Sequence, residues 1–116
     1  MDIVNQKFTK GSEWRKWDLH IHTPYSMVQG FTGATIEEKW ENFIKDLEAL
    51  PEEFKVIGIN DYLFIDGYKR VLEYRAAGRL TNIETILPVV EFRVKKFAGH
   101  KDFKRINFHV IFSDEL

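Results

Sequence analysis

Five residues with metal-ligating side chains are spaced so that extended segments could bring them together: His20, His22, Asp61, Glu91 and His109. The two histidines lie in WDLHIHTPYS, where Leu19 and Ile21 alternate with Asp18, His20 and His22. Strand residues two apart project from one face, roughly 6.5–7 Å apart at the backbone, and imidazoles so placed can converge on one cation at about 2.0–2.1 Å. Asp61 ends the apolar run KVIGIN, Glu91 follows LPVV, and His109 stands in a later extended run. The chain has no cysteine, so thiolate sites, disulfides and a cysteine nucleophile are excluded, leaving imidazole and carboxylate chemistry. Each residue has a plainer alternative. The histidine pair could sit on a wet strand surface, Asp61 could cap a turn, and His109 could be a core histidine bonded to a carbonyl. Glu91 could pair with Arg93 across the surface, which contributes about 0–1 kcal/mol. Taken as a set, the five favour a metal site.

The elements that must position them follow from periodicity. Lys16 to His22 reads as a strand with both histidines on one face. A loop from Thr23 to Ala34 leads into Thr35-Ile36-Glu37-Glu38, a capping box in which the threonine oxygen and the glutamate carboxylate satisfy each other's backbone N–H groups. Trp40, Phe43, Ile44 and Leu47 then form one helical stripe, closed by Pro51. Lys55 to Asn60 is a second strand. A second helix runs from about Gly67 to Ala77, with Asp66 as its cap, Tyr68, Val71 and Leu72 facing inward, and Gly78 as its stop. Strand, helix, strand, helix favours right-handed crossovers and a parallel sheet or barrel, whose functional groups gather at the carboxyl ends of the strands. His22 and Asp61 both fall there.

Leu87 to Phe97 and Phe103 to Phe112 read as a hairpin turning at residues 98–102. Symmetry about His100 pairs Phe97 with Phe103, Lys95 with Arg105, Arg93 with Asn107 and Glu91 with His109. One face then carries Glu91, Arg93, Lys95, Arg105, Asn107 and His109. The other carries Phe92, Val94, Ile106, Phe108 and Val110, with only Lys96 and Lys104 out of place. A one-residue slip would set Phe108 or Val110 opposite Glu91, so the pattern supports this register.

The 116 residues are 44% hydrophobic and 15% aromatic, enough for one α/β domain with a buried core. A formal net charge of -1 provides no global field toward DNA or a membrane, so contact with a polyanion would need a local patch. Arg93, Lys95 and Arg105, thickened by Lys96, Lys101 and Lys104, are the candidate patch, and a solvated basic hairpin is its plainer reading. No apolar run approaches the roughly 18 residues of a membrane span, and the expected location is the cytosol.

Trp17-Asp18-Leu19-His20-Ile21-His22 with Ser26 and Gly30, then Gly58-Ile59-Asn60-Asp61, Leu87-Pro88-Val89-Val90-Glu91 and His109-Val110-Ile111 resemble the polymerase and histidinol phosphatase (PHP) family. The four motifs come in family order and cover nearly the whole chain from Trp17 onward. The longer lead-in EWRKWDLHIHTP also resembles PHP domains fused to large ATPases linked to phage defence. The resemblance implies a distorted (β/α)7 barrel and a cluster of two or three zinc, manganese or iron ions that hydrolyses phosphoesters. It further implies that His20, His22, Asp61, Glu91 and His109 are metal ligands, with Glu91 in the bridging position. Gln29 stands where many members have an acidic residue and Tyr62 where they have histidine, which implies two divalent metals rather than three. The family draws further ligands from later strands, so residues 1–116 are expected to be the N-terminal half of the barrel. Three explanations stay open: the front of a longer protein, completion by another segment or chain, or lost activity.

The function expected on this basis is hydrolysis of a nucleotide or nucleic-acid phosphoester by metal-activated water, with Arg93, Lys95 and Arg105 holding substrate phosphate. The alternative is a catalytically weakened PHP interaction or regulatory module of a larger ATPase or polymerase-associated protein.

Overall fold

The computed structural model describes residues 14–26, 30–98 and 104–115, with the side chains of 95–98 and 104–105 outside that description. Gln29, the turn around His100, Phe103 and the side chains of Lys95, Lys96, Lys104 and Arg105 therefore lie outside the described residues. In chain order the elements are β1 (Lys16–Ile21), α1 (Ile36–Glu48), β2 (Phe54–Tyr62), α2 (Asp66–Ala76), β3 (Thr85–Ala98) and β4 (Lys104–Ile111). The strands form one sheet in the order β1-β2-β3-β4. β1 and β3 run parallel to β2, and β4 runs antiparallel to β3. The chain is thus an α/β protein in which each helix connects two parallel strands, followed by an antiparallel edge.

The stripe on α1 behaves as its spacing predicts, because Trp40, Phe43, Ile44 and Leu47 are all buried. They pack with Ile57 and Ile59 of β2, Val71 of α2, Ile86 of β3, and Leu80 and Ile83 of the connection between them. Side chains of this size each contribute about 1.5–3 kcal/mol when removed from water. Both helices therefore lie on one face of the sheet, and alternation along the strands assigns every second residue to that face.

The helix ends depart in detail from expectation. Thr35 does cap α1, with its hydroxyl accepting from the Glu38 N–H at 3.2 Å, but the Glu38 carboxylate accepts from the Ala34 N–H at 2.8 Å rather than from Thr35. Asp66 does not cap α2. The cap position is Ile65, without a side-chain bond, and Asp66 sits inside the first turn, where its charge still complements the helix dipole. Leu72 faces water rather than the core, while Val71 is fully buried. At the other end, Gly78 at φ +88° closes α2 as expected: its N–H donates to the Arg75 carbonyl and the Arg79 N–H to the Tyr74 carbonyl.

The hairpin register holds in its inner half, where Glu91 faces His109, Phe92 faces Phe108 and Arg93 faces Asn107. It fails toward the turn. Phe97 faces Arg105 and Ala98 faces Lys104, so β3 carries two more residues than β4 beyond Arg93, and Phe97 and Arg105 take each other in place of the expected partners Phe103 and Lys95. The two extra residues fall in the stretch that holds Lys95 and Lys96, and because the excess is even, Arg93 and Phe97 keep the same face parity.

Burial does not follow side-chain type at two positions of the hairpin. Glu91 is 3% exposed, whereas Phe108 on the apolar face is 44% exposed and stacks on Phe92, with ring centroids 5.2 Å apart.

Candidate metal centre

The residues opposite the helices assemble the site. In β1 the register advances three residues from Asp18 to Ile21 while β2 advances two from Ile57 to Ile59, so a bulge lies around Leu19 and His20. Freed from the ladder, the His20 N–H donates to Asp18 Oδ1 at 3.0 Å. Ile21 packs against the core, and both imidazoles turn to the other face, where their Nε2 atoms lie 3.2 Å apart. Bulges beside functional sites re-aim side chains in this way.

From β3 comes Glu91 and from β4 its cross-strand partner His109, whose Nε2 lies 3.9 Å from Glu91 Oε1. The His20 and His109 rings meet edge-on with centroids 4.8 Å apart. His20, Glu91 and His109 each offer a donor atom, and the three atoms lie within 4.8 Å of one another. Of the five expected ligands, the fold thus gathers these three, with His22 against His20 and its ring stacked on Tyr62 at 5.6 Å.

Asp61 is not in this group. It follows Asn60 in β2 and so projects to the helix side, where its Oδ1 accepts from the Thr23 N–H at 3.0 Å and its Oδ2 from the Thr23 hydroxyl at 2.7 Å. Burial pushes its carboxyl above the ordinary range, and the two Thr23 bonds pull against that push. Gly67 presses on the pair so closely that a Cβ there would overlap the Asp61 carboxylate and the Thr23 hydroxyl.

The β2 residue on the site's side is Asn60, which side-chain chemistry alone did not single out. It is fully buried, and its Nδ2 lies 3.5 Å from Glu91 Oε2. On the other side, Asn107 Nδ2 donates to Glu91 Oε1 at 3.3 Å, and Asn107 Oδ1 accepts from Arg93 Nε at 2.9 Å. Strand parity carries the signal: with Glu91 opposite His109, Asn107 and Arg93 share that face, and with Ile57 and Ile59 turned to the helices, Asn60 rather than Asp61 faces Glu91. Arg93, expected at substrate phosphate, is here engaged with Asn107, while the side chains of Lys95 and Arg105 lie outside the described residues.

The donor set fits a divalent cation. A tetrahedral ion bonded at about 2.0–2.1 Å spaces its ligands roughly 3.4 Å apart, so donors within 4.8 Å close onto one ion by small side-chain rotations. Among the described residues, two buried atoms nearby, Asn60 Oδ1 and His22 Nδ1, have no hydrogen-bond partner, and a carbonyl oxygen or imidazole nitrogen left so is what a cation or its waters would satisfy. Among the described residues no helix is long and apolar enough to cross a membrane. No family model matches the chain, and neither a curated protein nor a solved structure is significantly similar to it.

Proposed function

We propose that this chain is the metal-holding part of a PHP-type barrel that hydrolyses phosphoesters of nucleotides or nucleic acid. The observation that supports the reading is the convergence of His20, Glu91 and His109, from three different strands, on the sheet face opposite the helices. His20 and His109 would hold the ion through neutral imidazole nitrogens, with His22 beside them to receive a second. Glu91 would bridge, its two oxygens steadied by the Asn60 and Asn107 amides so that the carboxylate need not reorganise. Divalent ions held there supply Lewis-acid activation of water and neutralise charge on the phosphoryl oxygens. Arg93 fixes Asn107 through Nε and stands one same-face pair beyond Glu91, in position to reach an oxygen of substrate phosphate.

A second reading has its own support. Because Thr23 holds the Asp61 carboxylate on the helix side, one expected ligand is withheld, as suits an interaction or regulatory module that binds metal without turning over substrate. Metal analysis of the purified protein, followed by phosphomonoester and phosphodiester assays with Mn²⁺ and Zn²⁺, separates the two. Turnover lost in His20→Ala supports the hydrolase, and turnover unaffected by that substitution removes it. Bound metal with no turnover selects the module.

A further inference from the structure

After Tyr62, β2 gives way to Leu63, Phe64 and Ile65 before α2 begins. Leu63 adopts φ +59°, a left-handed conformation that costs a residue other than glycine about 1 kcal/mol or more. Its N–H donates to the Glu91 carbonyl at 3.3 Å, which ties this turn to the backbone of the metal-site strand. The result is two large apolar side chains in water, with Leu63 63% and Phe64 65% exposed. Among the described residues, neither belongs to the buried core cluster or packs against it.

Phe64 forms one side of a cleft of about 1120 Å³ at the carboxyl end of β2, lined also by Tyr25, Tyr62, Arg70 and Tyr74. Part of the lining is braced, since Arg70 Nη1 donates to the Tyr25 hydroxyl at 2.8 Å and the guanidinium lies 4.8 Å from the centre of the Trp40 ring. Tyr62 belongs to the cleft and also stacks on His22, so cleft and metal centre share a side chain.

We propose that this cleft receives the nucleobase of a nucleotide whose phosphate lies at the His20, Glu91 and His109 cluster; this rests on the phosphoester reading of that cluster. Aromatic side chains around a mostly apolar space offer faces on which a planar base stacks without regard to its sequence. The lining carries both signs, with Lys69 and Arg70 beside Asp66 and Glu73, so it offers donors and acceptors to base edges and ribose hydroxyls. Tyr62, which lines the cleft and stacks on His22, sets the orientation by joining the base-binding end to the metal centre.

The test titrates adenosine and guanosine into the protein without added metal, following intrinsic fluorescence and aromatic proton shifts. Saturable binding is expected, weakened about fivefold to a hundredfold in Phe64→Ala and retained in Phe64→Trp, while ribose 5-phosphate does not bind. Phe64 is exposed, so the substitutions spare the core, and circular dichroism confirms folding. Absence of saturable nucleoside binding, or equal binding by wild type and Phe64→Ala, overturns the inference. Nucleoside binding by a protein that shows no Mn²⁺-dependent turnover would uphold the cleft while removing the hydrolase reading, so the two fail separately.

Discussion

Thr23 holds both oxygens of the Asp61 carboxylate, Oδ1 through its backbone N–H and Oδ2 through its hydroxyl, and so joins the end of β1 to the end of β2 on the helix side of the sheet. Both residues are buried, which makes the hydroxyl hard to replace. Thr23→Val preserves shape but leaves a buried acceptor unsatisfied, at a cost of about 1–3 kcal/mol. Urea denaturation should show a lower midpoint with unchanged slope, and Zn²⁺ affinity should not move. A parallel loss of affinity would bring Asp61 into the ligand set.

The same contact reverses the usual effect of replacing glycine in a helix. Alanine is ordinarily better there by about 1 kcal/mol. Gly67, in the first turn of α2, leaves no room for a Cβ beside Asp61 and Thr23, so α2 would have to shift on the sheet. Gly67→Ala is expected to destabilise by about 1–3 kcal/mol, the range for overpacking, as read by thermal or urea unfolding. A stabilised variant would show that α2 docks less tightly than described.

Removing a donor from the cluster should be felt more strongly than removing a support. Asn107→Ala takes away one of the amides that steady Glu91 and is expected to lower Zn²⁺ or Mn²⁺ affinity by about 10–100-fold. Glu91→Gln and His109→Ala should each exceed that loss. Ion at about 100 times its dissociation constant should stabilise the wild type by about 2.7 kcal/mol, an increment absent from His20→Ala. Calorimetric titration and melts with and without metal measure both effects, and equal affinities across the set would dissolve the proposed centre.

How far the sequence could be read depended on whether a local rule had a rival. Trp40, Phe43, Ile44 and Leu47 obey one period and bury as a group, and Gly78 ends α2 because only its left-handed backbone admits the two closing hydrogen bonds. Glu91 and His109 face each other as a turn symmetric about His100, supported by the alternation of the two strands, predicts. Asp61 lies apart from the cluster because strand parity sends adjacent residues to opposite faces and puts Asn60 beside Glu91, a relationship that nearness to a strand end does not carry. Asp66 and Leu72 fell to tertiary geometry: the helix begins one residue earlier than its best capping side chain, and its buried arc is narrower than its apolar one. The bulge that re-aims His20 leaves no mark in the residue types at all.

Away from the site, one ion pair should make stability depend on pH. Arg79, just beyond α2, donates to Glu48 at the end of α1 through Nη2 at 2.6 Å, and the Leu80 N–H donates to the same carboxylate at 3.2 Å. The Arg79 bonds hold the Glu48 carboxyl below its ordinary value of 4.5, against the smaller opposing effect of burial. A carboxyl depressed by folding stabilises the native state above its unfolded value and loses that contribution as pH falls through the folded one. Glu48→Gln should therefore be less stable than wild type at neutral pH, and the gap should narrow as pH drops below 4.5. Because both side chains are partly exposed, added salt should shrink the gap at neutral pH as well. Urea unfolding of the two proteins across the acid range measures it, and a gap that persists undiminished at low pH would mean that Glu48 acts through shape rather than charge.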